Sequence, residues 1–260
     1  MAPRWLARAR AEADRPPRRA RRRLLLGTAP GEMHEVGSIE PAVAVRLSAA
    51  GLPIVARGED WTIAPPFDDA FAGIARSLHD EGLAQQWRDE LLPVVDRDGR
   101  TWATVERSVV RVLGLATFAV HLSGRAAGAG WWVQQRAFDK ATDPGRWDTL
   151  MGGQMAAGET VRSTLIRETG EEAALALDDL RSLRRADDIF VRRQIEEGYV
   201  NERIAVFCAT LGTNTTPVNR DGEVERFDCL DEQDLRARLA AGDFTLEATL
   251  ILGAELERES

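Results

Sequence analysis

"GGQMAAGETVRSTLIRETGEEAAL", residues 152–175, decides how the chain is read. It opens on a Gly pair and then becomes helical in pattern, with Glu168, Glu171 and Glu172 at i, i+3 and i+4. A helix from about Glu159 to Glu172 puts those three carboxylates on one face, each within reach of its neighbours. Like charges at that spacing repel by a few tenths of a kcal/mol per pair, so something favourable must offset them. A divalent cation does so, because magnesium takes hard oxygen ligands and is commonly held by one or two carboxylates plus substrate phosphates. A plain solvated face is the alternative for glutamates alone, and the residues at fixed intervals around them argue against it.

Those intervals are Gly153, five residues, Glu159, seven residues, then Arg167-Glu168, Thr169, Gly170 and Glu171-Glu172. The stretch resembles the signature of the Nudix hydrolase superfamily, G-x5-E-x7-R-E-U-x-E-E-x-G-U, in which U is bulky and apolar. At roughly one in fifteen per diagnostic position, a chance match is on the order of one in ten million per window. Thr169 stands where the family has an apolar residue, and Ala174 where it has Gly. That Gly normally leaves the helix in a left-handed conformation, which costs other residues about 1 kcal/mol or more. The substitution bears on the helix exit and leaves the carboxylates intact.

The resemblance implies an α/β (α+β) protein: a Nudix alpha-beta-alpha sandwich with a mixed sheet, preceded by a small α+β N-terminal domain. It implies Glu168 and Glu172 as principal metal ligands, Glu171 as a further ligand or the group that positions water, and the carbonyl of Gly153 beside them. Arg167 is implied as the partner of Glu159, and these acidic and basic residues together make the catalytic set. The cofactor implied is Mg2+, with Mn2+ as a substitute.

The flanks "WWVQQRAFDKATDPGRWDTLMGGQMAAGE" and "DGEVERF" are similar to the Nudix portion of fungal thiamine pyrophosphokinases and to its stand-alone plant and bacterial relatives. This implies hydrolysis of a diphosphate linkage in a thiamine-diphosphate-like or nucleoside-diphosphate-like small molecule, oxidised thiamine diphosphate analogues included, with release of a monophosphate. Glu223, or Glu225, is implied as an additional late carboxylate, and either Glu171 or Glu223 as the acceptor of the water's proton. Arg136 and Lys140 are candidates to neutralise substrate phosphate, or else ordinary charges beside a turn. Trp147, with Trp131 and Trp132, is a candidate to stack on a heterocycle, although aromatics in alternating strands more often belong to a core. A broader nucleotide-sugar or ADP-ribose diphosphatase and a non-catalytic Nudix binding module are the competing readings. The first lacks the proline that ADP-ribose members carry beyond the box, and the second lacks any loss of box carboxylates.

The rest of the chain sets the frame. Its 260 residues and 44% hydrophobic content suffice to bury a real core, and no apolar run is long enough to span a bilayer. A net charge of -8 argues against a general nucleic-acid binder. Cys208 and Cys229 lack C-x-x-C spacing and sit in strand-like contexts, so a reducing cytoplasm is expected, with no membrane partner and a monomeric or homodimeric state. His34, His79 and His121 are scattered and read as structural or surface groups.

Residues 1–25 hold nine Arg against two carboxylates, and residues 1–35 are expected to be a flexible basic arm. Residues 36–114 read as the N-terminal α+β domain and 115–260 as the Nudix domain. Within the former, "PFDDAFAGIARSLHDEG" predicts a helix capped by Asp68 or Asp69, "LAQQWRDELL" a second short helix, "PVVDRDGRTWATV" a hairpin at Asp98-Gly99, and "VERSVVRVLG" a short helix closed by Gly114. Beyond residue 115, strands are predicted in "ATFAVHLSG", "GWWVQQRAF", "WDTLMGG", "DDIFVRRQI", "NERIAVFCATL" and "EVERFDCLD", and closing helices in "EQDLRARLAAG" and "TLEATLILGAELERE".

Overall fold

The structure is a computed structural model that describes residues 2–29, 31–84, 86–128 and 130–259. Helix α1 (Arg4–Ala13) comes first, followed by the hairpin of β1 (Arg22–Ala29) and β2 (Glu32–Ile39). Then come α2 (Pro41–Ala49), β3 (Ile54–Arg57), β4 (Asp60–Ile63), α3 (Phe67–Asp80), β5 (Leu91–Val95) and β6 (Thr101–Glu106). The strands β1 to β4 form one sheet in the order β2-β1-β4-β3, and β5 pairs with β6. Phe71, Ile74, Ala75 and Leu78 of α3 recur at helical spacing and are fully buried with Leu24, Leu26, Ile54 and Ile63 of that sheet.

The second half holds β7 (Thr117–Arg125), β8 (Trp131–Arg136), β9 (Trp147–Asp148), β10 (Met151–Gln154), α4 (Val161–Ala173), β11 (Leu180–Arg185), β12 (Ile189–Ile195), β13 (Gly198–Leu211), β14 (Val224–Leu230), α5 (Glu232–Ala241) and α6 (Leu246–Arg258). The sheet runs β11-β13-β7-β8-β14 and is mixed, because β13 pairs with β7 in parallel while the other pairs are antiparallel. One edge of β7 is shared. β8 takes its far end at Gly124 and Arg125, and β10 takes Ala119 to Leu122. The two strands therefore splay apart, and α4 lies against β10 and β7 beside that split.

The expected flexible arm over residues 1–35 is corrected. Leu6, Ala9 and Ala13 lie at i, i+3 and i+7, are all buried, and seat α1 on α6. Gly253 makes the close crossing possible, since a Cβ there would stand 2.6 Å from Leu6 Cδ1. Arg21 is not a solvated arm residue either, because its guanidinium donates to Ser38 Oγ at 3.0 Å and Val112 O at 2.6 Å. High arginine content concealed a narrow apolar stripe.

Three more local expectations fail. "LAQQWRDELL" forms no helix among its described residues; Gln86 and Asp89 adopt positive φ, and Leu91 already belongs to β5. "VERSVVRVLG" divides between β6 and a 3-10 turn at Arg107–Val109. The α3 N-cap is Pro66, two residues before the first of the predicted positions, which leaves the Asp68 carboxylate free to accept from the Thr104 N–H at 2.8 Å. The Asp98-Gly99 hairpin forms as expected: Asp96 Oδ1 accepts from the N–H groups of Asp98 and Arg100, and Gly99 takes φ +85°.

Candidate active site

Helix α4 begins at a reciprocal cap. Thr160 Oγ1 accepts from Ser163 N at 3.1 Å, and Ser163 Oγ accepts from Thr160 N at 2.8 Å. The cap starts the helix immediately after Glu159, so that Glu159 is left on the loop and Arg167 can reach back to it. Arg167 Nε meets Glu159 Oε1 at 2.7 Å and Nη2 meets Oε2 at 2.9 Å. The same carboxylate accepts from Ala156 N at 2.9 Å and Thr164 Oγ1 at 3.0 Å. Arg167 hydrogen bonding is the main cause that brings the Glu159 carboxyl down to about 2, against the opposing effect of burial. Arg167 Nη2 also donates to the Gln154 carbonyl at 3.1 Å, so one guanidinium ties loop, strand and helix together.

Glu168 and Glu172 point into the protein and are nearly buried. Burial pushes Glu168 up to about 7, with the charges of Glu171 and Glu223 adding to it and Arg167 opposing. Burial, then the charge of Glu168, pushes Glu172 up to about 8. Glu172 Oε2 accepts from Gly152 N at 3.0 Å on β10 and from Gln134 Nε2 at 3.1 Å on β8, so it bridges the split between the two strands. The Gly pair is required by this approach. A Cβ on Gly153 would lie 1.9 Å from Glu168 Oε1, and one on Gly152 would lie 2.5 Å from the His121 ring. His121 is buried beneath the loop, its Nδ1 3.0 Å from Thr149 Oγ1.

The remaining candidates divide. Glu171 is half exposed and turns to Arg167, with Oε2 3.1 Å from Nη1. Glu223 pairs with Lys140. Burial acts to raise the Glu223 carboxyl, but Lys140, with Arg107 and Arg136, holds it below the usual range. Arg136 is turned toward its own loop, donating to the Thr142 carbonyl at 3.0 and 3.2 Å, and lies 3.6 Å from Asp148. Trp147 is a correction: it is 6% exposed, packs with Trp131, Leu235 and Phe244, and is flanked by the guanidinium groups of Arg226 and Arg238, so it belongs to the core. Trp131 is equally buried.

Among the described residues no three His, Cys, Asp or Glu side chains stand as a ready metal cage. The donor set nevertheless fits a hard divalent cation, because Glu168 and Glu172 are adjacent buried carboxylates whose charges disfavour each other. Sequence reasoning missed Gln134, which orients Glu172. Its one signal was a polar residue directly after the apolar run Trp131 to Val133 of β8. Beside the pair opens a cleft of about 160 Å³ lined by Gly152, Gly153, Lys140, Glu223, Arg107 and Arg111, among others.

A family model for the NUDIX domain matches residues 113–250, and the chain belongs to that family. It is 30% identical over 167 residues to the chloroplastic Nudix hydrolase 24 of Arabidopsis thaliana, covering 61% of this chain and 44% of that protein. It is 29% identical over 167 residues to the chloroplastic Nudix hydrolase 20 of the same plant, covering 61% and 43%. The chain thus matches less than half the length of these two relatives. A crystal structure from Deinococcus radiodurans shares the fold with a TM-score of 0.51 and 21% identity, over 64% of this chain and 98% of that one. No helix among the described residues is long and apolar enough to cross a membrane.

Proposed function

We propose that the chain is a divalent-metal-dependent hydrolase that cleaves a diphosphate linkage, and that Glu168 and Glu172 hold the metal. The observation that carries this reading is the pair of buried, elevated carboxylates, Glu168 laid over Gly153 and Glu172 bonded to the Gly152 N–H, beside the Glu159–Arg167 clamp. Burying two acids beside one another is unfavourable unless a cation neutralises them when the site works. Magnesium there would supply Lewis-acid polarisation of a phosphoryl oxygen and a more acidic bound water.

The protein's own groups would do the rest. Glu172 is oriented by Gln134 and the Gly152 N–H, and Glu168 by Arg167, so neither needs to reorganise. Glu171 on the exposed side of α4 and Glu223 in the cleft lining are the two candidates to accept a proton from water. Lys140 pairs with Glu223 at the cleft and favours its ionised form. The substrate class proposed is a thiamine-diphosphate-like or nucleoside-diphosphate-like small molecule, on the strength of the residues flanking the box, and the organisation proposed is an N-terminal unit ahead of a Nudix unit beginning near residue 115.

The test is chromatographic detection of monophosphate products formed with magnesium from thiamine diphosphates, nucleoside diphosphates and nucleotide sugars, for the wild type and for Glu168→Gln and Glu172→Gln. Cleavage that both variants retain at the wild-type rate would sink the assignment.

A further inference from the structure

The cleft that Gly152 and Gly153 line beside the candidate metal carboxylates is lined also by Arg88, Arg107 and Arg111. All three precede residue 113, where the match to the family begins. They also line an adjoining cavity of about 160 Å³ that shares Ala141, Thr142 and Gln154 with the first, so the two form one continuous trough. The chain places these arginines deliberately by fold. β6 ends at Glu106, whose carboxylate accepts from the Arg88 and Ser108 N–H groups, and the 3-10 turn then carries Arg107 toward the trough.

The cations expected from the box's flank are already engaged. Lys140 is paired with Glu223, and Arg136 is bound to the Thr142 carbonyl and lies near Asp148. Arg111 makes only a 3.3 Å contact to the Thr142 hydroxyl, and the exposed Arg88 side chain has no carboxylate partner among the described residues. Arg107 is braced by Glu90 at 2.6 Å, and its charge is felt at Glu223 across the trough. Arg88, Arg107 and Arg111 thus bring positive charge to a cleft whose lining also holds the carboxylates Glu202, Glu223 and Glu247, in a protein of net charge -8.

We propose that Arg88, Arg107 and Arg111 form the subsite for the terminal phosphate of the substrate, which makes the substrate a diphosphate monoester. This rests on the diphosphate-cleaving reading and narrows it. A terminal phosphate exposes three oxygens and nearly two negative charges, which matches several guanidinium groups. A diphosphate flanked on both sides by organic groups, as in a dinucleotide or nucleotide sugar, offers one charge per phosphate and no free end to fill the trough. The N-terminal unit is then part of the substrate site.

The probe is imidodiphosphate with magnesium, whose P–NH–P bridge resists cleavage, so that calorimetry reads binding without turnover. Arg88→Gln with Arg111→Gln should weaken its binding by about tenfold or more, as loss of two charge-assisted contacts does. Arg107→Gln should weaken it and Arg107→Lys should restore part of it. Arg76→Gln, an exposed arginine on α3, should bind as the wild type does, and melting temperatures confirm that each variant folds. Unchanged affinity in the double variant, or no binding by the wild type, would overturn the proposal. Activity assays separate the two readings. A wild type that binds imidodiphosphate through the arginines yet cleaves no diphosphate keeps the subsite and removes the hydrolase, whereas cleavage with undiminished binding in the arginine variants does the reverse.

Discussion

Arg167 grips Glu159 through two parallel hydrogen bonds, 2.7 Å and 2.9 Å, across eight residues of chain. The pair joins the loop that follows β10 and its Gly pair to the helix that carries the carboxylates, so its geometry is transmitted to both halves of the candidate metal site. Lysine cannot make the fork. Arg167→Lys is expected to cost about 1–3 kcal/mol in urea unfolding and to lower diphosphate hydrolysis more than it lowers substrate affinity. The pH dependence has a definite sign. The Glu159 carboxyl falls from 4.5 to about 2 on folding, so its stabilisation is fully present above pH 4.5 and is lost as pH falls toward 2. The stability gap between wild type and Glu159→Gln should be constant near neutrality and close across that acidic window. A gap that persists unchanged at pH 2 would contradict it.

Glu168 and Glu172 move the other way, rising from 4.5 to about 7 and about 8. A carboxyl elevated by folding favours the folded state below its unfolded value, and that advantage is lost as pH rises through the folded value. In chelator, the melting temperature should therefore fall between pH 5 and pH 8. Glu172→Gln should flatten the fall and make the metal-free protein more stable at pH 8 while abolishing hydrolysis. Added magnesium should raise the wild-type melting temperature at pH 8 and leave that of Glu172→Gln nearly unmoved.

The spacing of Gly153, Glu159, Arg167 and the three glutamates was legible because those contacts are local, within one loop and one helix. Strands β7, β8, β13 and β14 were legible as strand-sized runs set off by turn residues. What was not legible arises from distant packing. Leu6, Ala9 and Ala13 gain meaning only when α6 is brought beside them, and the arginines around them outweigh three small apolar residues in any composition count. Trp147 looked available because a strand pattern does not tell which face meets a helix; α5 and α6 cover it. Gln134 and Arg111 belong to the site only through the fold, the one by the split between β8 and β10 and the other by the turn that follows β6.

Gly153 has a steric role that can be separated from its backbone conformation. Its φ is not in the left-handed region, so Gly153→Ala introduces no backbone strain, only a methyl 1.9 Å from a Glu168 oxygen. The carboxylate must move, while Arg167 continues to hold the loop. Gly153→Ala is expected to cut hydrolysis by about a hundredfold, as a displacement of about 1 Å in a reacting group does. Its midpoint of urea unfolding should change far less than that of Arg167→Lys. Wild-type activity in Gly153→Ala would show that Glu168 does not need its present seat.

Ala174 ends α4 with φ +55° and ψ +31°, the left-handed conformation that the family pattern assigns to glycine. Its Cβ pays the steric cost of that region, while the closure itself is made: the Leu175 N–H bonds the Thr169 carbonyl at 3.1 Å, as a left-handed helix exit does. Replacing Ala174 by glycine removes the strain and leaves the hydrogen bonds alone. Against the extra freedom that glycine has when unfolded, the net gain should be about 1 kcal/mol, seen as a higher urea midpoint with an unchanged slope. Because Glu168 and Glu172 are held from the other end by Arg167, Gln134 and Gly152, hydrolysis should stay within about twofold of wild type. A loss of activity in Ala174→Gly would mean instead that the strained exit helps to hold Glu172 in place.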